Sequence, residues 1–203
     1  MNLEIVKQNL EKRGFNVSIY ETATEASEYL NNEINNKSVA FGGSVTLAEM
    51  ELFNTLNMHN DVWYHGNAEL IEKYGRDTLL KNAQSTDIYI SSANGLSADG
   101  ILINIDGNGN RIASTAFGHK KVYYVIGKNK IEDTFEKALW RVRNIAAPKN
   151  AQRLNKKTPC AANADKCYNC SNPDRICRGI LITEAPMSGQ ETEIILVNEN
   201  LGY

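Results

Sequence analysis

The sequence predicts an α/β domain with a mainly parallel sheet and helices on both faces. Three observations carry this. Segments with helical apolar spacing alternate with short β-branched runs through the first half of the chain. One run, Lys121-Val122-Tyr123-Tyr124-Val125-Ile126-Gly127, is apolar at almost every position, as a strand buried on both faces requires. A third is the direct passage from strand to glycine turn to helix at Phe41-Gly42-Gly43-Ser44.

In order along the chain, Leu3, Ile5, Val6 and Leu10 lie near helical spacing, and Gly14 marks a stop. Residues 15–20 alternate apolar and polar as a half-buried strand does, and Thr22 with Glu25 is a capping box for a helix through about Ile34. Ser38 to Phe41 reads as a short buried strand, and Thr46 with Glu49 opens a helix whose Leu47, Met50, Phe53 and Leu56 share a face. Val62 to Tyr64 is a strand, Ala68 to Ala83 a helix weakened at Gly75, and Asp87 to Ile90 a strand. Ile101-Leu102-Ile103 is a strand held between two polar loops. Glu132 to about Ile145 is helical, with Arg141 and Arg143 placed late to complement the helix dipole. Ile180 to Ile182 and Ile194 to Val197 are closing strands. Trp63 and Trp140 sit in apolar patterns and are expected in the core.

Pro148 to Arg178 shows no periodicity. It carries Lys149, Arg153, Lys156, Lys157, Lys166, Arg175 and Arg178 against only Asp165 and Asp174. This reads as a basic, cysteine-bearing insertion (148–178) within one domain of residues 1–203. The chain has a net charge of -2, which argues against nucleic acid or an anionic membrane as a partner. It has no long apolar run and no secretory leader, so the expected location is cytoplasmic. Thiols stay reduced there, and the four cysteines need a reading other than disulfides.

Two polar stretches are candidate ligand sites. In the first, Gly42, Gly43 and Ser44 expose backbone N–H groups before a helix, with Thr46 adding a hydroxyl, an arrangement suited to a phosphate or carboxylate. The same residues also suit a tight turn with an ordinary cap. They form neither a P-loop nor a Gly-x-Gly-x-x-Gly fingerprint, so no nucleotide cofactor is expected.

In the second stretch, Asn94-Gly95, Asp99-Gly100 and Asp106-Gly107 are turn dipeptides that a plain hairpin would also use. However, Asn104 and Asp106 share one face of a strand, and Asn108, Asn110 and Arg111 follow as donors. The expectation is a small anionic metabolite held by both stretches, with Glu49, Asp99 and Asp106 as the acid–base candidates. His59, His65 and His119 are scattered and form no triad, with His119 the best placed to reach a ligand.

Cys160, Cys167, Cys170 and Cys177 are spaced Cys-x6-Cys-x2-Cys-x6-Cys. Four thiolates at this spacing suit a tetrahedral zinc site or an iron–sulfur cluster, and the surrounding cations would favour the bound thiolates. Unligated thiols or a redox pair at Cys167 and Cys170 are the alternatives.

The segments FGGSVTLAE, SSANGLSADGILINIDGNGNRIAS, KKVYYVIGKNKI, RVRNIAAPKNAQRL and KTPCAANADKCYNCSNPDRICR together resemble the LUD domain family, the lactate-utilisation proteins also called DUF162. The resemblance is to the short, cysteine-containing members and runs over nearly the whole chain. It implies the fold of ribose-5-phosphate isomerase, glucosamine-6-phosphate deaminase and coenzyme A transferases, a three-layer α/β/α sandwich. It also implies a link to lactate or organic-acid oxidation, with a protein partner of an oxidation system and an oligomer both compatible. No counterpart of the transferase glutamate nucleophile stands in these loops. A lone sugar-phosphate isomerase or acyl transferase, and a redox or regulatory protein acting through its cysteines, are the other classes that the residues admit.

Overall fold

The computed structural model describes residues 2–203. It is a mixed α/β fold whose central sheet has six strands. Their order is β1 (Asn16–Tyr20), β10 (Glu191–Val197), β7 (Lys121–Gly127), β4 (Ile88–Ser91), β2 (Ser38–Phe41) and β3 (Asp61–Trp63). Every neighbouring pair is parallel. In β7, Tyr123 and Val125 point to one face and Val122, Tyr124 and Ile126 to the other, and all five are buried. The continuous apolar run is therefore a strand with two dry faces.

The first face is covered by α2 (Ala23–Glu33), α3 (Val45–Glu49) and α4 (Leu52–Leu56), through Ala26, Leu30, Leu47, Leu52 and Leu56. Thr22 and Glu25 form the reciprocal capping box that starts α2. The helix expected from Thr46 starts two residues earlier in the chain, with Ser44 accepting from the Leu47 N–H, and it breaks at Glu51, whose φ is +51°.

The second face meets α1 (Leu3–Lys12) and a smaller sheet that the sequence did not disclose. That sheet has the order β8 (Ile131–Glu132), β5 (Gly95–Ser97), β6 (Leu102–Asp106) and β9 (Gly179–Thr183). Leu96 and Leu102 face the main sheet, while Ile103 and Ile105 pack on α8 (Phe135–Arg141) and the turn that follows it. The small sheet thus takes the place of helices over part of this face.

The helical path that begins with α8 does not end near Ile145. A π-helical turn over Val142–Ala146 leads straight into α9 (Ala147–Arg153). The widened turn accommodates Pro148, whose missing N–H would interrupt a regular helix. After α9 only the short α10 (Pro159–Asn163) is regular until β9. Trp140, expected in the core, is 58% exposed because it lies on the outer face of α8. Gly75, with φ +76°, separates α5 (Ala68–Tyr74) from α6 (Arg76–Asn82). Among the described residues, no helix is long and apolar enough to cross a membrane.

Gly95 sits where α8 crosses β5. A Cβ there would lie 2.8 Å from Val142 Cγ2 and 3.0 Å from the Ala138 carbonyl oxygen. Gly95→Ala should therefore cost about 1 to 3 kcal/mol in urea unfolding, the range of an overpacked core.

Candidate functional site

Because the main sheet is parallel, the loops that follow β2, β4, β7 and β10 all leave from its carboxyl edge, the edge at which α/β folds collect ligands. Arg111, on α7 (Asn110–Ala116), organises this edge. Its guanidinium donates to Asn104 Oδ1 at 2.8 Å, to Asn94 Oδ1 at 2.7 Å, and to the carbonyls of Ile105 and Ser92 at 2.6 and 3.3 Å. Asn94 and Asn104 thus hold Arg111 in place. The polar face of β6 proposed from the alternation is real, and its first partner is internal.

Asp106 opens α7. Its carboxylate accepts from the backbone N–H groups of Asn108, Gly109, Arg111 and Ile112 at 3.0 to 3.3 Å. Burial alone would push this carboxyl up, but Arg111 and the backbone donors outweigh it and hold it below its usual value.

Beside this junction lies a cavity of about 370 Å³. Gly43, Ile105 to Asn108, Asn110 and Arg111 form one wall, with His65 and Arg76 at the side. The opposite wall is the basic segment: Asn150, Arg153, Leu154, Lys156, Pro173 to Ile176, and Arg178. Six cations, Arg76, Arg111, Arg153, Lys156, Arg175 and Arg178, face two carboxylates, those of Asp106 and Asp174. Lys156 pairs with Asp174 at 3.1 Å, and Arg111 is spent on the network above. Among the described residues, Arg76, Arg153, Arg175 and Arg178 have no carboxylate within salt-bridge distance.

His65, given no role from the sequence, lines this cavity with its Nδ1 buried and unpartnered. Burial and then Arg76 push its pKa down, against an opposing pull from Asp106. No spacing relation links residue 65 to the basic segment, so only the fold could bring them together. His119 is instead a core residue, stacked on Tyr89 at 5.0 Å with Nδ1 at 2.8 Å from the Thr86 carbonyl.

The other sequence candidates are dispersed. Gly43, Asp106, Gly107, Asn110 and Arg111 reach the cavity wall. Gly42 packs beneath Arg111, where a Cβ would lie 3.2 Å from Arg111 Cδ and 2.9 Å from Ser91 Oγ. Ser44 caps α3, and Thr46 is buried, donating to the Leu201 carbonyl. Glu49 accepts from the Gly202 N–H at 2.7 Å. Asp99 and Gly100 lie away from the cavity, against Arg13, which ion-pairs with Asp99 at 3.2 Å. Gly95 is occupied by packing, as described above.

The expectation of zinc or an iron–sulfur cluster is overturned. Among the described residues, no group of three or more His, Cys, Asp or Glu is arranged to hold a metal ion, and Cys160, Cys167, Cys170 and Cys177 are free thiols. Each sulfur or its backbone has a local partner instead. Cys160 Sγ lies 3.3 Å from Thr158 Oγ1, and Cys167 Sγ accepts from the Asn169 N–H at 3.4 Å. Arg175 reaches among the others, donating to Cys177 Sγ at 3.3 Å and to the carbonyls of Cys170 and Cys177 at 3.0 and 2.9 Å. The segment is stapled by Asp174, which accepts from the Lys157 N–H at 2.7 Å as well as pairing with Lys156, and by Asn172, which donates to the Lys157 carbonyl.

This sheet, with its cationic cavity at the carboxyl edge, is the setting for the comparisons with known proteins. The LUD domain matches residues 3–197, and the chain belongs to that family. No curated protein matches the sequence. Among solved structures, a DUF162 family protein from Deinococcus radiodurans is 13% identical, with 96% of this chain and 95% of that one covered at a TM-score of 0.55. Ribose 5-phosphate isomerase A from Neisseria gonorrhoeae is 16% identical over 56% of this chain and 54% of its own, at a TM-score of 0.37. The first of these likenesses supports the fold; neither names a ligand.

Asp106→Asn should destabilise the protein by about 2 kcal/mol at neutral pH, the loss of charged acceptors for buried donors. The folded carboxyl titrates below the unfolded one, so this contribution is complete above the unfolded pKa and is lost as pH falls through the folded value. Urea melts of the two proteins should therefore converge in acid.

Proposed function

We propose that this LUD-domain protein binds a small anionic metabolite in the cavity between the Asp106 to Arg111 junction and the basic 148–178 segment. The observation that carries the reading is the charge of the walls: six cations against two carboxylates, four of the cations free of acidic partners. Arginine presents a planar fork that matches a carboxylate or a phosphate, and a volume of about 370 Å³ suits a small metabolite. Gly43 supports the same reading, because it keeps the wall beside His65 free of a side chain. The family's association with lactate utilisation makes organic acids the first class to test, with sugar phosphates and coenzyme A esters as the competing classes.

Thermal-shift screening against these three classes tests the proposal. A true ligand at 100 times its Kd adds about 2.7 kcal/mol of stability. Arg153→Ala and Arg178→Ala should each weaken binding by about tenfold or more in calorimetry, as loss of a charge-assisted hydrogen bond does. A screen without a hit, or unchanged affinity in both variants, would sink the reading.

His65 adds a pH signature. A bound anion opposes the effect of Arg76 on the ring and favours imidazolium. Affinity for a carboxylate ligand should rise as pH falls toward the pKa of the free ring, which lies below the usual histidine value. In His65→Gln the rise should vanish.

A further inference from the structure

Lys130 has no role in the cavity, and its surroundings are unusual for a lysine. The side chain is buried, yet among the described residues it forms no salt bridge. Its Nζ lies 2.6 Å from Thr46 Oγ1 and 3.0 Å from Ser92 Oγ. Both hydroxyls donate onward, Thr46 to the Leu201 carbonyl at 3.2 Å and Ser92 to the Ala93 carbonyl at 3.4 Å, so each must accept from Lys130. Two donated bonds use both N–H groups of a neutral amine and leave its lone pair free. An ammonium would have a third proton and no carboxylate to receive it.

The arrangement is assembled from four neighbouring parallel strands. Thr46 follows β2, Ser92 follows β4, Lys130 follows β7, and Leu201 with Gly202 follows β10. This is the edge at which such sheets carry their chemistry. Arg111 donates to the carbonyl of the same Ser92 whose hydroxyl accepts from Lys130, while Arg141 donates to the carbonyls of Asn129 and Asn94. Two guanidiniums therefore stand close to the amine.

A short strap covers it. Asn129 accepts from the Leu201 N–H and donates to the Gly202 carbonyl, and Glu49 accepts from the Gly202 N–H. Gly202 lies so near that a Cβ on it would be 3.3 Å from Lys130 Nζ.

We propose that Lys130 is a nucleophilic amine that captures a small aldehyde or ketone as an imine when the Leu201-Gly202 strap lifts. The nitrogen lone pair forms the C–N bond at the carbonyl carbon while the carbonyl π electrons move to oxygen. One amine proton passes to that oxygen through the Thr46 or Ser92 hydroxyl, giving a carbinolamine. The second proton leaves with the hydroxyl group as water, and the imine remains. No oxidant or reductant is involved. Burial, Arg141 and Arg111, in that order, lower the amine pKa to about 7 against the pull of Glu49, which leaves a large neutral fraction at physiological pH. Lys130, Thr46 and Gly202 are not part of the cationic cavity wall, so this site stands or falls independently of the anion reading.

The test is reductive trapping on the full chain at pH 7. Acetaldehyde, and separately glyoxylate, are added below the lysine concentration with cyanoborohydride, and the label is located by peptide mass mapping. Lys130 should carry the adduct at about ten times the occupancy of exposed lysines or more, because those are almost fully protonated at this pH. Asn129→Ala, which frees the strap, should speed labelling at Lys130 alone; label found only in that variant supports the strap as the cover. Absence of label from Lys130 in both proteins, or label no greater than on exposed lysines, would overturn the proposal. A second readout needs no reagent. Between about pH 7 and pH 10 the unfolded lysine binds more protons than the folded one, so the melting temperature of the wild type should rise relative to Lys130→Met. A constant difference would remove the neutral-amine basis.

Discussion

The Arg111 guanidinium is the constraint on which the carboxyl edge depends. It reaches the loop after β4 through Ser92 and Asn94, and β6 through Asn104 and Ile105, while its own backbone N–H is held by Asp106. One largely buried cation thereby joins the large sheet, the small sheet and α7. A buried charge left without partners would cost several kcal/mol, so the two asparagines that satisfy it are as necessary as the arginine itself. Their polar side chains, which invite a ligand reading in the sequence, are consumed in holding the scaffold. Beyond them lies the outer rim, where Asp106 to Asn110 meet the basic segment.

That rim is built by charge rather than by metal. The 148–178 segment has little periodic structure after α9, and its order comes from Asp174 bonded to Lys156 and Lys157, and from Arg175 threaded among the cysteine carbonyls. Using one carboxylate to fasten a segment so rich in cations leaves the excess positive charge facing the cavity. The same economy of carboxylates holds at Lys130, which is paired with hydroxyls instead of an acid. Two basic features of different character therefore share one edge: a rim of arginines without acidic partners among the described residues, and a buried lysine bonded to two hydroxyls.

Much of the architecture was legible from the chain alone. The dry β7 run, the capping box at Thr22 and the stop at Gly14 follow from local rules of burial, hydrogen-bond satisfaction and backbone freedom, and the structure keeps all three. The family was also legible, because several segments matched in order along the chain. Where the reading failed, the cause was non-local. The small sheet pairs β6 with β9, more than seventy residues later, and β5 with β8, and strands that short carry no signal of their own partners. Pro148 signalled a break, but a π-helical turn took it up.

The sequence by itself determined the elements, the parallel sheet and the stock of basic side chains, since these depend on periodicity and composition. Only the tertiary structure decided which charges meet. Spacing made the four cysteines look like ligands of one ion, yet spacing bounds how far apart groups can be and does not aim them, and in the fold they turn to hydroxyl, amide and guanidinium neighbours. Conversely, nothing in the order of the chain joins His65 to Arg153, or Thr46 to Lys130. Parallel strands bring their carboxyl ends together whatever their separation in sequence, and that geometry assembles the Lys130 cluster, while the cationic cavity forms where the same edge meets β6, α7 and the basic segment.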